Sequence, residues 1–123
     1  MVRAWYSTFN LPTIITNCSN NFGPRQIPDK LVPKIITNAI NNQSIPIYGN
    51  GLNIRDWLFV EDHIDAILNS INSSKTGLTY CIGGNSVKTN LQTVESICSI
   101  LDNLKPSQKP YKDLISFVRD RPG

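Results

Sequence analysis

The residues of this chain best equipped for chemistry are amides and cations rather than nucleophiles. Asn20 and Asn21 follow a β-branched apolar run, residues 13–18, at the kind of position where a strand of an α/β sheet ends and ligands are held. An amide offers two donors and an acceptor, which suits sugar hydroxyls, carboxamides or phosphate oxygens. Two asparagines in a loop can equally well tie it to its own backbone. Arg55 precedes Asp56 and Trp57 in an extended segment, so its guanidinium can clamp a phosphate bidentately or pair with a neighbouring acid such as Asp56. Lys30 stands near a predicted helix N-terminus, where an anion would meet its ammonium and free backbone N–H groups together; a solvated surface lysine fits the same spacing. Arg119 and Arg121 flank Asp120 in a charged tail. Gly83-Gly84-Asn85 could approach a ligand or simply turn the chain out of a strand.

The catalytic inventory is short. His63 is the one histidine and sits in an acidic helix start, Glu61-Asp62-His63, which favours a structural or capping role. Cys18, Cys81 and Cys98 lie in no signature that would activate a thiolate. Cys98 falls on the apolar face of a predicted helix and Cys81 in a predicted strand, so both read as core residues. Three scattered cysteines and one histidine leave little for a metal site. They also argue for a reducing compartment rather than a disulfide framework. Neither a GxGxxG nor a GxxxxGK[ST] phosphate loop is present.

The elements that must position these residues are small. The chain has 123 residues, 40% hydrophobic and 17% charged, which suits one small globular unit. No apolar run is long enough to cross a membrane, and the first residues lack a signal peptide, so the expected location is cytoplasmic. A net charge of +3 permits an anionic ligand, and no stripe of Lys and Arg calls for nucleic acid.

Residues 2–10 read as a helix with Trp5 and Phe9 on one side, ended by Leu11-Pro12. Residues 13–18 read as a strand buried on both faces, and residues 19–28, with Gly23, Pro24 and Pro28, as loop. A helix is predicted over residues 30–42, strands over residues 45–48 and 54–60, and a turn at Gly49-Asn50-Gly51. A further helix over residues 61–72 carries Ile64, Ile67, Leu68 and Ile71 on one face. Residues 78–82 read as a strand. Thr89 and Gln92 form a capping box opening a helix with Leu91, Val94, Ile97, Cys98 and Leu101 inward. About four short strands alternating with helices give an α/β fold.

Several of these stretches together resemble the extended short-chain dehydrogenases that act on nucleotide sugars, the NAD-dependent epimerase/dehydratase family. They are residues 11–14 with Thr16-Asn17-Cys18-Ser19-Asn20-Asn21-Phe22-Gly23-Pro24, residues 28–33, residues 46–51, Ile54-Arg55-Asp56-Trp57-Leu58-Phe59-Val60-Glu61-Asp62-His63, residues 80–85 and Asp120-Arg121-Pro122-Gly123. They run in family order over essentially the whole chain. The likeness is strongest to members that dehydrate dTDP-glucose. Phe22 stands where the family usually has Tyr, and Cys81 where Asn is common.

The resemblance implies a Rossmann-type fold of which residues 1–123 form the C-terminal, nucleotide-sugar-binding portion. It implies that Asn20 contacts the nucleotide sugar and Asn21 the NAD cofactor. Lys30 and Leu31 would line the nucleotide-sugar site, Pro46, Ile47 and Tyr48 would surround the base, and Asn90 would lie close to the nucleotide. Arg55 and Arg121, with Asp120 beside it, would serve the pyrophosphate. In the family reaction NAD is a transient hydride store: C4 of the sugar is oxidised, water is eliminated across C5 and C6, and the hydride returns to C6.

The family's Gly-rich fingerprint, Tyr-x-x-x-Lys pair and Asp-Glu acid–base pair are not in these residues, so no catalytic residue and no metal ligand is assigned here. The isolated chain is expected to be inactive and poorly folded, because residues 13–18 would lack strand partners. The full-length parent would be a homodimer, as is common in the family, with no nucleic-acid or membrane partner. A UDP-sugar epimerase or decarboxylase of the same superfamily, and a non-catalytic nucleotide-sugar-binding module, are the competing readings.

Overall fold

A computed structural model of the protein describes residues 1–73 and 75–120. Every strand pair with a determined register is parallel, and helices separate the strands, so the α/β expectation holds. Among the described residues, those of 1–23 and 56–86 form one compact unit and those of 24–55 and 87–120 another.

The first unit opens on α1 (Val2–Phe9), whose Trp5 and Phe9 rings lie 4.9 Å apart on one side. Asn10 ends it in the left-handed conformation, φ 52°, a role asparagine fills at low cost. Strand β1 (Ile15–Cys18) runs parallel to β5 (Thr79–Ile82). At Ser19, whose N–H still donates to the Ile82 carbonyl at 3.0 Å, the chain changes partner. It continues as β2 (Asn20–Phe22) beside the end of β4 (Ile54–Phe59), with Asn20 opposite Trp57 and Phe22 opposite Phe59. Phe22 meets Trp57 edge-on at 6.3 Å and Phe59 at 5.5 Å, contacts that stabilise a very short strand. Helix α3 (Val60–Asn72) connects β4 to β5, with Glu61 and Asp62 in its first turn, where the helix dipole favours acids.

The second unit contains the principal core. Helix α2 (Leu31–Ile40) and helix α4 (Asn90–Leu104) enclose Ile35, Ala39, Val94, Cys98 and Leu101 with Ile45 and Ile47 of β3 (Ile45–Tyr48). Pro33 is tolerated as the third residue of α2, before an intrahelical N–H donor is needed. The Thr89/Gln92 capping box forms as predicted, with Gln92 N–H to Thr89 Oγ1 at 3.1 Å and Thr89 N–H to Gln92 Oε1 at 2.9 Å. Strand β6 (Val87–Thr89) neighbours β4. A 3-10 turn (Tyr111–Leu114) leads into β7 (Ile115–Val118), which pairs in parallel with β3. Pro46 lacks a ladder donor, and β3 accommodates it because β7 is its one strand partner among the described residues.

Several expectations are corrected. There are seven strands among the described residues, since β2, β6 and β7 have three or four residues each and carry no readable alternation. Residues 20–22 are strand rather than loop because β4 supplies a partner that local sequence does not reveal. Residues 13–18 are not buried on both faces: Asn17 and Cys18 are exposed, with β5 as the strand partner. Cys81 is exposed rather than core, while Cys98 is buried. The apolar face of α3 forms, but Ile64, Leu68 and Ile71 are at least half exposed; periodicity defines a face without supplying what covers it.

Candidate functional site

In the first unit the β1–β2 crossover sets the two asparagines. Successive residues of a strand point to opposite faces, so Asn20 and Asn21 diverge. Asn20 is exposed, and its Nδ2 reaches the Asp56 carbonyl at 3.3 Å. Asn21 is half-buried. Its Nδ2 donates to the Ser19 carbonyl at 3.0 Å and to Cys18 Sγ at 3.2 Å, and its Oδ1 lies 2.8 Å from His63 Nδ1. The self-tying reading of the pair holds for Asn21, while Asn20 is exposed and reaches only the Asp56 carbonyl among the described residues.

Asp56, which the sequence offered only as a partner for Arg55, anchors this unit. Its carboxylate accepts the backbone N–H of Ser86 at 2.7 Å and of Gly84 at 2.9 Å. The Ser86 N–H foremost, outweighing desolvation, with Gly84 adding to it, holds the carboxyl below the usual carboxylate range. These contacts span 28 and 30 residues of sequence, so no local signal could have found them. Gly84 is required for close approach: a Cβ there would lie 2.7 Å from the Trp57 carbonyl carbon and closer still to its oxygen. The glycine pair is thus a strand-exit turn latched to β4.

In the second unit, three of the predicted residues, Tyr48, Asn90 and Asp120, gather on or against the turn that follows β3. Tyr48 closes β3, and the following Gly49 N–H donates to the Val118 carbonyl at 3.0 Å. Gly49 has φ 61°, and a Cβ there would lie 3.1 Å from Asp120 Oδ2, so Asp120 rests against this turn. The turn holds the start of α4 through Leu91 N–H to the Gly51 carbonyl at 3.0 Å and Asn90 N–H to the Asn53 carbonyl at 2.9 Å. Arg55 leaves the same turn two residues later. Its Nη1 donates to the Ile54 carbonyl at 2.8 Å. It forms no ion pair among the described residues, because the Asp56 carboxylate is engaged elsewhere. The Asn90 side-chain amide makes no hydrogen bond to the described residues.

Other assignments separate from that cluster. Lys30 is the N-cap of α2, and its Nζ lies 3.9 Å from Asp29 Oδ2 with both side chains well exposed. A pair so solvated holds its ammonium weakly. Leu31 packs against the core. Ile47 is 3% exposed, so its side chain belongs to the core and its backbone alone remains to face a base. Pro46 and Tyr48, on the alternate face of β3, are half-buried. Arg121 lies outside the described residues.

Among the described residues no three His, Cys, Asp or Glu side chains gather to hold a metal, and no helix is long and apolar enough to cross a membrane.

Parallel strands joined through helices, with Asn20 and Asn21 following the end of β1, define an α/β protein of the Rossmann type. The chain belongs to the NAD dependent epimerase/dehydratase family, whose sequence pattern matches residues 1–83. It is 52% identical over 128 residues to the dTDP-glucose 4,6-dehydratase of Neisseria gonorrhoeae, covering 100% of this chain and 37% of that protein. It is 50% identical over 123 residues to dTDP-glucose 4,6-dehydratase 1 of Escherichia coli K12, covering 100% of this chain and 34% of that protein. The crystal structure of the Bacillus anthracis dTDP-glucose 4,6-dehydratase in complex with NAD superposes with a TM-score of 0.84 and 44% identity, covering 97% of this chain and 36% of that one. The chain thus spans little more than a third of the length of the curated relatives it matches.

Proposed function

We propose that this chain is the nucleotide-sugar-binding portion of a dTDP-glucose 4,6-dehydratase that works with NAD in deoxysugar biosynthesis. The observation that supports the reading is the exposed Arg55, two residues beyond the turn that follows β3, with Tyr48, Asn90 and Asp120 on or against that turn. A pyrophosphate needs fixed cations, and a guanidinium supplies two parallel donors without changing protonation state. Roughly half-identity to dTDP-glucose 4,6-dehydratases over the whole chain supports the same substrate class.

In this reading Arg55, with Arg121, binds the pyrophosphate, Lys30 adds charge at the α2 N-terminus, and Asn20 offers its amide to the nucleotide sugar. Asp120 shapes the turn beside Gly49, Leu31 lends apolar support, and Pro46, Ile47 and Tyr48 border the base, Ile47 through its backbone. NAD bound by the whole protein would accept and return the hydride. Asn21, the residue assigned to NAD, has its amide engaged by Ser19, Cys18 and His63. The described residues do not by themselves build a cofactor cradle. A homodimer and a cytoplasmic location belong to the same proposal.

The test is binding and turnover by the full-length protein carrying this chain. We expect dTDP-glucose to bind more tightly than UDP-glucose and to yield the 4-keto-6-deoxy product. Replacing Arg55 by Ala should weaken dTDP-glucose binding by about tenfold or more, as loss of charge-assisted hydrogen bonds implies. A preference for UDP-glucose with epimerised product would assign the chain to an epimerase. Unchanged affinity in Arg55→Ala would remove Arg55 from the site.

A further inference from the structure

We infer that His63 is a positioning residue for substrate: acting through Asn21, it fixes the β1–β2 crossover so that Asn20 presents its amide to the nucleotide sugar. The inference rests on the substrate role proposed above for Asn20.

The hydrogen-bond pattern fixes the direction of the contact. Asn21 Nδ2 points both its hydrogens at acceptors, the Ser19 carbonyl and Cys18 Sγ. Its other terminal atom is therefore the carbonyl oxygen, and His63 Nδ1 carries the hydrogen that bridges the 2.8 Å between them. Neutral imidazole protonated on Nδ1 and imidazolium both satisfy this bond. The pair joins residues 42 apart in sequence, one in the first turn of the 13-residue helix α3 and one in the three-residue strand β2.

The crossover needs such a tie. At Ser19 the chain leaves β5 and takes up β4, and β2 is too short to set its own register firmly. Asn20 is the first residue after the change. Its hold on the Asp56 carbonyl is long, at 3.3 Å, and its Oδ1 makes no hydrogen bond to the described residues. Where that amide points is therefore governed by its neighbours, Ser19 and Asn21, and both belong to the network closed by His63. Adjacent asparagines thus divide the work: the inward one is held, and the outward one is presented.

The test measures the affinity of the full-length protein for dTDP-glucose by calorimetry. His63→Leu removes the donor, and His63→Asn places an amide N–H near the position of Nδ1. We expect His63→Leu to weaken binding about five- to tenfold and His63→Asn to stay within about twofold, the usual effect of one lost hydrogen bond and its restoration. In an Asn20→Ala background His63→Leu should cost nothing further, because the two act in series. If His63→Leu does not fold, His63→Gln, whose amide reaches the position of Nε2 rather than Nδ1, should show the same loss and the same dependence on Asn20. Wild-type affinity in the folded variant, or an equal loss with and without Asn20, would overturn the inference alone. Unchanged affinity in Asn20→Ala by itself would overturn the substrate role of Asn20, and the inference with it.

Discussion

The Asp56 carboxylate receives the Ser86 backbone N–H at 2.7 Å and thereby binds the exit of β5 to β4. With Gly84 on its second oxygen, one side chain orders four residues, 83–86, that have no regular structure of their own. The same strand carries Arg55 on its alternate face. Neighbouring charges of opposite sign therefore do not neutralise one another, and the guanidinium stays available to an anion.

That geometry gives a pH dependence with a definite sign. The folded carboxyl titrates below its ordinary value of 3.8. Its contribution is thus fully present above the unfolded value and is lost as pH falls through the folded one. We expect the melting temperature of the full-length protein to exceed that of Asp56→Asn at pH 5 to 7. The gap should narrow as pH drops below about 3.8. A gap independent of pH would show that the charge on Asp56 is not what holds the loop.

Gly84 tests the close approach directly. An added Cβ meets the Trp57 carbonyl and lies 3.0 Å from Leu58 Cα, backbone atoms that cannot swing aside as a flexible side chain would. Gly84→Ala should destabilise the protein by about 1–3 kcal/mol, the usual cost of forcing extra volume into a fitted contact. Denaturant unfolding measures this. A variant within error of wild type would mean that the strand-exit turn moves freely away from β4.

How far the sequence discloses this molecule depends on the range of each interaction. The Thr89/Gln92 box lies within one helical turn and was readable, as were the inward residues of α4, whose 3.6-residue period is sustained. Arg55 and Lys30 stand out by type alone as candidate anion ligands, and Lys30 by its position at a helix start. The partner exchange at Ser19 and the Asp56 latch were not legible, because each is decided by residues at least 28 positions away. Ile47 is a further case: the resemblance sets it beside the base, and its burial is decided by α2 and α4, which the four residues of its own strand do not reveal.

The capping box should be measurable in stability. Thr89 Oγ1 satisfies the Gln92 N–H and Gln92 returns the bond to Thr89, at the start of the helix that brings Val94, Cys98 and Leu101 to the core. Thr89→Ala is expected to cost about 1 kcal/mol, read from the midpoint of chemical unfolding. Thr89→Ser should recover most of it. Equal loss in both would indicate that the Thr89 methyl, rather than its hydroxyl, matters.

The three cysteines should separate by rate of alkylation. Cys98 is 1% exposed, and burial, followed by the negative charges of Asp102 and Glu95, pushes its thiol up. Both effects suppress the thiolate that an alkylating reagent needs. Cys18 and Cys81 are exposed, on adjacent paired strands but opposite Ile82 and Asn17 respectively, so each meets the reagent separately. Brief treatment of the native full-length protein with iodoacetamide, followed by peptide mapping, should find Cys98 the slowest of the three. Unfolding in denaturant should bring it level with the others. Labelling of Cys98 at the rate of Cys81 in the native protein would contradict the α2–α4 core, since Val94 and Leu101 bury their side chains on the same face of that helix.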